Sequence, residues 1–462
     1  MSSGKMRRVR GMVGVLVLPL LLISPAVNAE TLNEALASAY SGNPILRAER
    51  ARQRATDEQT AQALSGWRPR IDAGAAAGIQ DTDVEPDPTG ALSGTTRPAD
   101  FSIVLTQPVF RGFKTVRGVK RAEATVEAGR QNLLAVEQQT LFDTVQAYMN
   151  VIRDRRVLAL RQRNVTVLRE QLRSSQERFN VGEVTRTDVA QSRARLSLSE
   201  STVAQAKSNL AASIATYTKV VGHSPGSLKY PKLPKLPGSL ENANALAEKI
   251  NPNILAASFT AEAARQNVGV VKGDLLPTVT VEASGTRSID DLESVSEGNV
   301  NQLTLLGRVS VPLYEAGSVY SAVREAKQTE SQRRIEIIGA ARAVREAVVT
   351  AWNFFVASKE TIVSSKAQVS ANVLALEGVK QEYLVGSRTT LDVLNAESEL
   401  LDSQVILAQA ERDQIVACYQ ILGSIGQLTA RQIGLGVDYY DPIENYDNVR
   451  DKWFGTGVNT VD

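Results

Sequence analysis

Cysteine and histidine each occur once in the 462 residues, as Cys418 and His223. No disulfide can close within the chain, and a zinc site or a histidine-dependent triad lacks the ligands and bases it needs. Cys418 falls deep in the last helical pattern and reads as a small buried apolar residue. His223, in "VGHSPGS", reads as a loop residue at a helix exit. No G-x-x-x-x-G-K-[ST] stretch is present to cradle phosphates. The expectation is a protein that is no enzyme, with no catalytic, metal-binding or cofactor-binding residues. Aromatics make up only 5% of the chain, lean for packed globular cores and normal for extended helical structure. Charge of one sign is not in excess, since the formal net charge is +2. Basic blocks with interleaved aromatics are missing too, which argues against a nucleic-acid partner. Beyond the N-terminal region no segment holds eighteen uninterrupted apolar residues, so any further entry into a membrane would have to be made by strands.

What is present begins with a leader. Lys5, Arg7, Arg8 and Arg10 precede the apolar "GMVGVLVLPLLLI", and "AVNA" offers small residues before a cut after Ala29. Residues 1–29 therefore read as a secretory signal peptide, and the remainder carries 48 basic against 50 acidic residues.

The chain then repeats itself. "NPILRAERARQRATDEQTAQALSGWRPR" starts at Asn43 and "NPNILAASFTAEAARQNVGVVKGDLLPT" at Asn251, an offset of 208. From Pro108 and Pro312 onward the offset is 204, and it holds through Gly182 and Gly386, Asp188 and Asp392, and Gly222 and Gly426. So long a match argues for internal duplication. The domain reading is a first repeat over 30–226, a Pro-rich linker over 227–237, a second repeat over 238–428, and a polar C-terminal tail over 429–462. Each repeat is expected to hold a helix ending before a proline, a strand, a polar loop, a second strand, and two helices meeting at a glycine turn. Period-two alternation places the strands at about 70–80 and 99–108, and at about 277–287 and 301–312. The turns fall at about 181–187 and 385–391, around Gly182 and Gly386.

Sevenfold spacing marks the long helices. Val151, Leu158, Val165, Leu172 and Phe179 form one series, and Phe355, Ile362, Val369, Leu376 and Tyr383 its counterpart. A true seven-residue period implies left-handed supercoiling. The companion heptad position is mostly basic or polar, which suits a wall of helices wet on one side. Four amphipathic strands cannot close around a lumen, whereas twelve from three chains would make a barrel of outer-membrane size.

In this layout the chain resembles the TolC family of outer-membrane efflux and secretion ducts over nearly all its length after the leader. The resemblance rests on the duplicated strand pair and helical hairpin, on "QPVFRG" and "VPLYEAG", and on "FNVGEVTRTDV" and "YLVGSRTTLDVLNA" at the turns. It implies a mainly α homotrimer with a 12-stranded transmembrane β-barrel in the outer membrane, joined to an α-helical barrel across the periplasm. Its implied partners are outer-membrane lipid, a periplasmic adaptor (membrane fusion) protein and an inner-membrane pump of the RND or ABC type. The implied function is an exit duct through which drugs or proteins leave the cell passively. By the same resemblance, Asp392 and Asn395 line the entrance constriction, and Thr187, Asp188, Tyr383 and Arg388 form a latch between the hairpins. Val181, Gly182, Val385 and Gly386 would mark the tips where the adaptor docks. Asn395 stands where the better-known members carry a second acid, which implies weaker selection for cations. Thr185 with Asp188 and Thr389 with Asp392 also read as helix-capping boxes, a role compatible with the other. A soluble periplasmic coiled-coil scaffold or adaptor without a pore is the competing reading.

Overall fold

The computed structural model describes residues 29–83, 85, 94–290 and 298–458. The leader up to residue 28, residues 84 and 86–93 of the first polar loop, residues 291–297 of the second, and the last four residues of the tail lie outside them. The chain is built twice over. In each half a short helix (α1, Leu32–Gly42; α5, Leu240–Ile250) runs into a 21-residue helix (α2, Pro44–Leu64; α6, Pro252–Lys272). The joint is one asparagine. The Asn43 backbone amide closes α1 on the Ala39 carbonyl, while its side chain accepts from the Ile45 amide to start α2, with proline at the first helical position. Asn251 does the same for α5 and α6.

Strands follow. In the first half these are β1 (Arg70–Ala77), a small hairpin of β2 (Gln80–Thr82) with β3 (Gly94–Thr96), and β4 (Ala99–Arg111). In the second they are β5 (Thr278–Asp290) and β6 (Gly298–Ser310). β4 runs three residues past its expected end by means of an irregularity between Pro108 and Phe110, as expected for a proline that cannot donate to the ladder. Pro312 lies outside β6, although the sequence reading carried that strand to it.

The sheet order is β1-β4-β5-β6, antiparallel throughout, so the seam between the two halves is the β4–β5 pair. The registers stack Ala73, Ile103, Gly285 and Leu303 in one row and Ile71, Leu105, Ala283 and Leu305 in the next but one. That face is apolar and uncovered: Leu303 is 89% exposed and Leu305 73%. The opposite face carries Thr280, Glu282, Thr286, Gln302 and Arg308, with Arg308 3.8 Å from Glu282. Among the described residues both outer edges, β1 and β6, are unpaired.

From each pair of strands a 67-residue helix descends (α3, Lys114–Asn180; α7, Ser318–Leu384), about 100 Å long at about 1.5 Å per residue. The corner is made by two consecutive left-handed residues, Gly112–Phe113 in the first half and Ala316–Gly317 in the second. α3 and α7 turn at a glycine into α4 (Arg186–Val221) and α8 (Thr390–Ser424). α2 and α4 pack along α3, and α6 and α8 along α7. Each long helix is thus matched by two shorter ones.

The core lies where the short helices meet beside the middle of the long ones. Tyr148, Tyr217, Leu141, Val145, Ile415, Ile421 and Leu36 are wholly buried there. The Tyr148 and Tyr217 hydroxyls donate to the Glu30 carbonyl and carboxylate, tying the start of the described chain to both helices of the first hairpin. Below this belt the contiguous hydrophobic cluster among the described residues is small, around Ile362, Leu407 and Ala410, with single buried side chains such as Leu168, Leu394 and Leu401, so the lower helices form a thin wall. Among the described residues no helix is long and apolar enough to cross a membrane.

The C-terminal segment is a strap. After α9 (Ala430–Ile433) it runs beside α2 as α10 (Pro442–Arg450). Its aromatics stack on arginines of the wall: Tyr440 on Arg50 at 5.3 Å, Tyr446 on Arg130 at 5.1 Å, and Trp453 on Arg68 at 4.9 Å. Asn445 donates to the buried Asp57, whose carboxyl is pushed up by burial.

Candidate functional site at the hairpin tips

The sites expected from sequence gather at the end of the hairpins farthest from the sheet. α3 ends in a tight left-handed stop, in which Gly182 N–H donates to Phe179 O (3.0 Å) and Glu183 N–H to Arg178 O (2.9 Å). α7 repeats it with Gly386 to Tyr383 (3.1 Å) and Ser387 to Glu382 (3.0 Å). These are the two bonds of a Schellman motif, and they require positive φ at the glycine, +82° at Gly182 and +80° at Gly386. Val181 and Val385 precede them with side chains out in solvent, 72% and 80% exposed.

The N-cap of the next helix follows three residues after each glycine, at Thr185 and Thr389. The Thr185 side chain and backbone both donate to Asp188 Oδ2, at 2.7 and 2.9 Å, while Asp188 N–H returns a bond to Thr185 Oγ1. Thr389 and Asp392 repeat this geometry within 0.1 Å. Asp188 and Asp392 therefore serve as capping-box carboxylates. The bonds from Thr389 hold the Asp392 carboxyl below the usual range, with a further contribution from nearby Arg388.

Within the single chain the latch residues are engaged elsewhere. Arg388 Nε lies 2.7 Å from Glu382 Oε2, an ion pair inside its own turn, and both side chains are about half exposed. The first tip carries the same bridge with its charges exchanged, Arg178 on the helix end and Glu183 in the turn, 2.9 Å apart. Tyr383 meets the first hairpin through the Arg178 guanidinium, 4.7 Å from its ring centre, and its hydroxyl lies 3.4 Å from Thr390 Oγ1. Thr187 is exposed beside them. Asn395 accepts from Arg195 Nη2 at 2.8 Å, a second bond from hairpin to hairpin. Arg178 and Arg195 were not singled out from sequence. Nothing in their spacing separates them from the many other arginines of a wet helical wall, and only the packing of one hairpin on the other does so.

Slightly above, Glu397 is buried against Lys380 (3.2 Å), and burial raises its carboxyl. Together the tips offer paired charges around two glycine turns.

Comparison with known proteins fits this geometry. The family model described as "Outer membrane efflux protein" matches residues 35–223 and 244–427. The chain is 38% identical to outer membrane efflux protein BepC of Brucella suis over 451 residues, covering 96% of this chain and 95% of that one. It is 28% identical to outer membrane protein TolC of Escherichia coli, covering 88% and 84%. Among solved structures, the CmeC outer membrane channel of Campylobacter jejuni superposes with a TM-score of 0.77 at 17% identity, over 91% of this chain and 89% of that one.

Proposed function

Because the chain belongs to the outer membrane efflux protein family, we propose that three copies pool their sheets and hairpins into one continuous duct. The protein is an exit channel for efflux or type I secretion, set in the outer membrane with a large periplasmic portion. Its family is one of channels rather than enzymes. The observation that carries the trimeric reading is the sheet, which among the described residues has four strands, two unpaired edges and one apolar face in the open. Backbone groups left unpaired against lipid would cost several kcal/mol each. Pooled strands remove both edges, giving a twelve-stranded wall with Leu303 and Leu305 toward lipid and Glu282 and Arg308 toward water. A soluble scaffold would have no use for such a face.

The six glycine turns then ring the periplasmic end, where Asp392 and Asn395 narrow the opening. Val181, Gly182, Val385 and Gly386 present the surface to which a periplasmic adaptor, carrying an inner-membrane pump, would dock. The closed ring is held when Arg388 and Tyr383 reach Thr187 and Asp188 across hairpins. Arg388 is shared between two carboxylates, Glu382 in its own turn and Asp188 across the gap. Exposed pairs of this kind are worth about 1 kcal/mol or less each, weak enough for a partner to break. Single-channel recording in planar bilayers tests this. Replacing Tyr383 by Phe together with Arg388 by Ala should raise conductance, and Glu382→Gln, which releases Arg388 to the latch, should lower it. Unchanged conductance in both would remove the latch from the account.

A further inference from the structure

The internal duplication carries information about the surface between copies. α6 is the counterpart of α2 and packs on both long helices, α3 and α7, while α8, the counterpart of α4, packs on α7 and also on α3. α2 and α4 pack on α3 and have no comparable contact with α7. The α7 flank and the outer sides of α2 and α4 are therefore two halves of a seam whose completed version already exists inside the chain, between α3 and the pair α6–α8. Burial agrees. Ala408 and Val416 on α8 are 4% and 3% exposed, whereas their counterparts Ala204 and Ala212 on α4 are open to solvent. On α7, Val356 is 45% exposed, whereas its counterpart Ile152 on α3 is packed against the core.

The polar pairs of the inner seam can be translated position by position. Arg156 of α3 is ion-paired with Glu411 of α8, and their counterparts are Glu360 on α7 and Lys207 on α4. Arg121 of α3 donates to Asn267 of α6 at 2.9 Å, and their counterparts are Glu325 on α7 and Gln59 on α2. In both cases the partners have exchanged roles, base for acid and donor for acceptor, yet remain complementary. A third pair, Arg153 with Gln409, becomes Ala357 with Gln205 and carries no charge across. Lys207, Glu360, Glu325 and Gln59 are all exposed, and among the described residues neither Lys207 nor Glu360 is in an ion pair. Two surface positions 153 residues apart thus carry opposite charge at the places the duplication would bring together.

We propose that Glu360 of one copy pairs with Lys207 of the next, and Glu325 with Gln59, so that the seam between copies is the inner seam with its polarity reversed. The inference rests on the trimeric reading above. The reversal also gives the ring its order. An α7 flank set against an α8-type surface would place Glu360 on Glu411, like charge against like, whereas an α4 surface presents Lys207. The two kinds of repeat are thereby made to alternate.

The test uses the full-length protein in detergent, with cysteine in place of Lys207 and Glu360 and the buried Cys418 left unchanged. Ion-paired side chains commonly hold their Cα atoms beyond disulfide range, so a short flexible bismaleimide is the probe. The K207C/E360C protein should give covalent dimers and trimers on a denaturing gel, and each single variant only monomer. In parallel, E360K should lower the temperature at which the trimer dissociates by a few degrees, and K207E/E360K should restore it. A trimer that gives no covalent ladder and no rescue overturns the seam and leaves the channel reading standing. A protein that is monomeric in detergent overturns both.

Discussion

Glu137 buries a carboxylate beside α9 to hold one backbone amide, that of Ala430, at 2.7 Å. Burial pushes its carboxyl above the usual range, and the amide bond with nearby Arg50 and Arg431 offsets this only in part. An acid raised in the folded state stabilises fully below its unfolded pKa and loses that contribution as pH climbs through the raised value. Glu137→Gln keeps an acceptor for Ala430 without the charge. It should therefore match the natural protein at pH 4 and equal or exceed it at pH 8 in thermal unfolding of the detergent-solubilised protein. Glu137→Ala, which leaves the amide unanswered, should cost about 1–3 kcal/mol at both. A Gln variant that loses stability more steeply with rising pH than the natural protein would refute this assignment. At the same scale, the tip shows what residue-level reading can and cannot do. The capping boxes were legible at Thr185 and Thr389, because the pattern Thr-x-x-Asp is local. The stacking of Arg178 on Tyr383 was not, because it joins residues 205 apart and depends on how two hairpins lie together.

At the scale of elements the sequence disclosed most where periodicity was longest. Five successive apolar heptad positions in each repeat announced α3 and α7, and alternation announced the strands. Ile362 is indeed buried and Val369 partly so, whereas Phe179 at the tip is 42% exposed, since the wall there has water on both sides. The short helices α1 and α5 were passed over, although Thr31 with Glu34 is a capping box as plain as those at the tips. The strap was less legible, since its polar composition hides the fact that its aromatics are spaced to meet three arginines on other elements. Each such stacking contact is worth about 0.5–1 kcal/mol at an exposed site. Replacing Tyr446 and Trp453 by Leu together should release α10 from α2 and raise amide hydrogen exchange in both helices, while exchange at the tips stays unchanged. Protection in α2 equal to that of the natural protein would mean that the strap lies on the wall without bracing it.

For the whole molecule, the central fact is that the single chain leaves the same surfaces unfinished at every level. Among the described residues the sheet has two free edges and a bare apolar face, and α7 has a flank whose counterpart on α3 is covered by α6 and α8. The duplication supplies the remedy, because what one half does for the other, the next copy can do for both. Membership of the outer membrane efflux protein family agrees with a tube built in this way. The mass of the purified particle, measured by native mass spectrometry from detergent, bears most directly on that claim. The account predicts three chains per particle and aggregation once detergent is withdrawn. A monodisperse single chain, stable in detergent-free buffer, would contradict it.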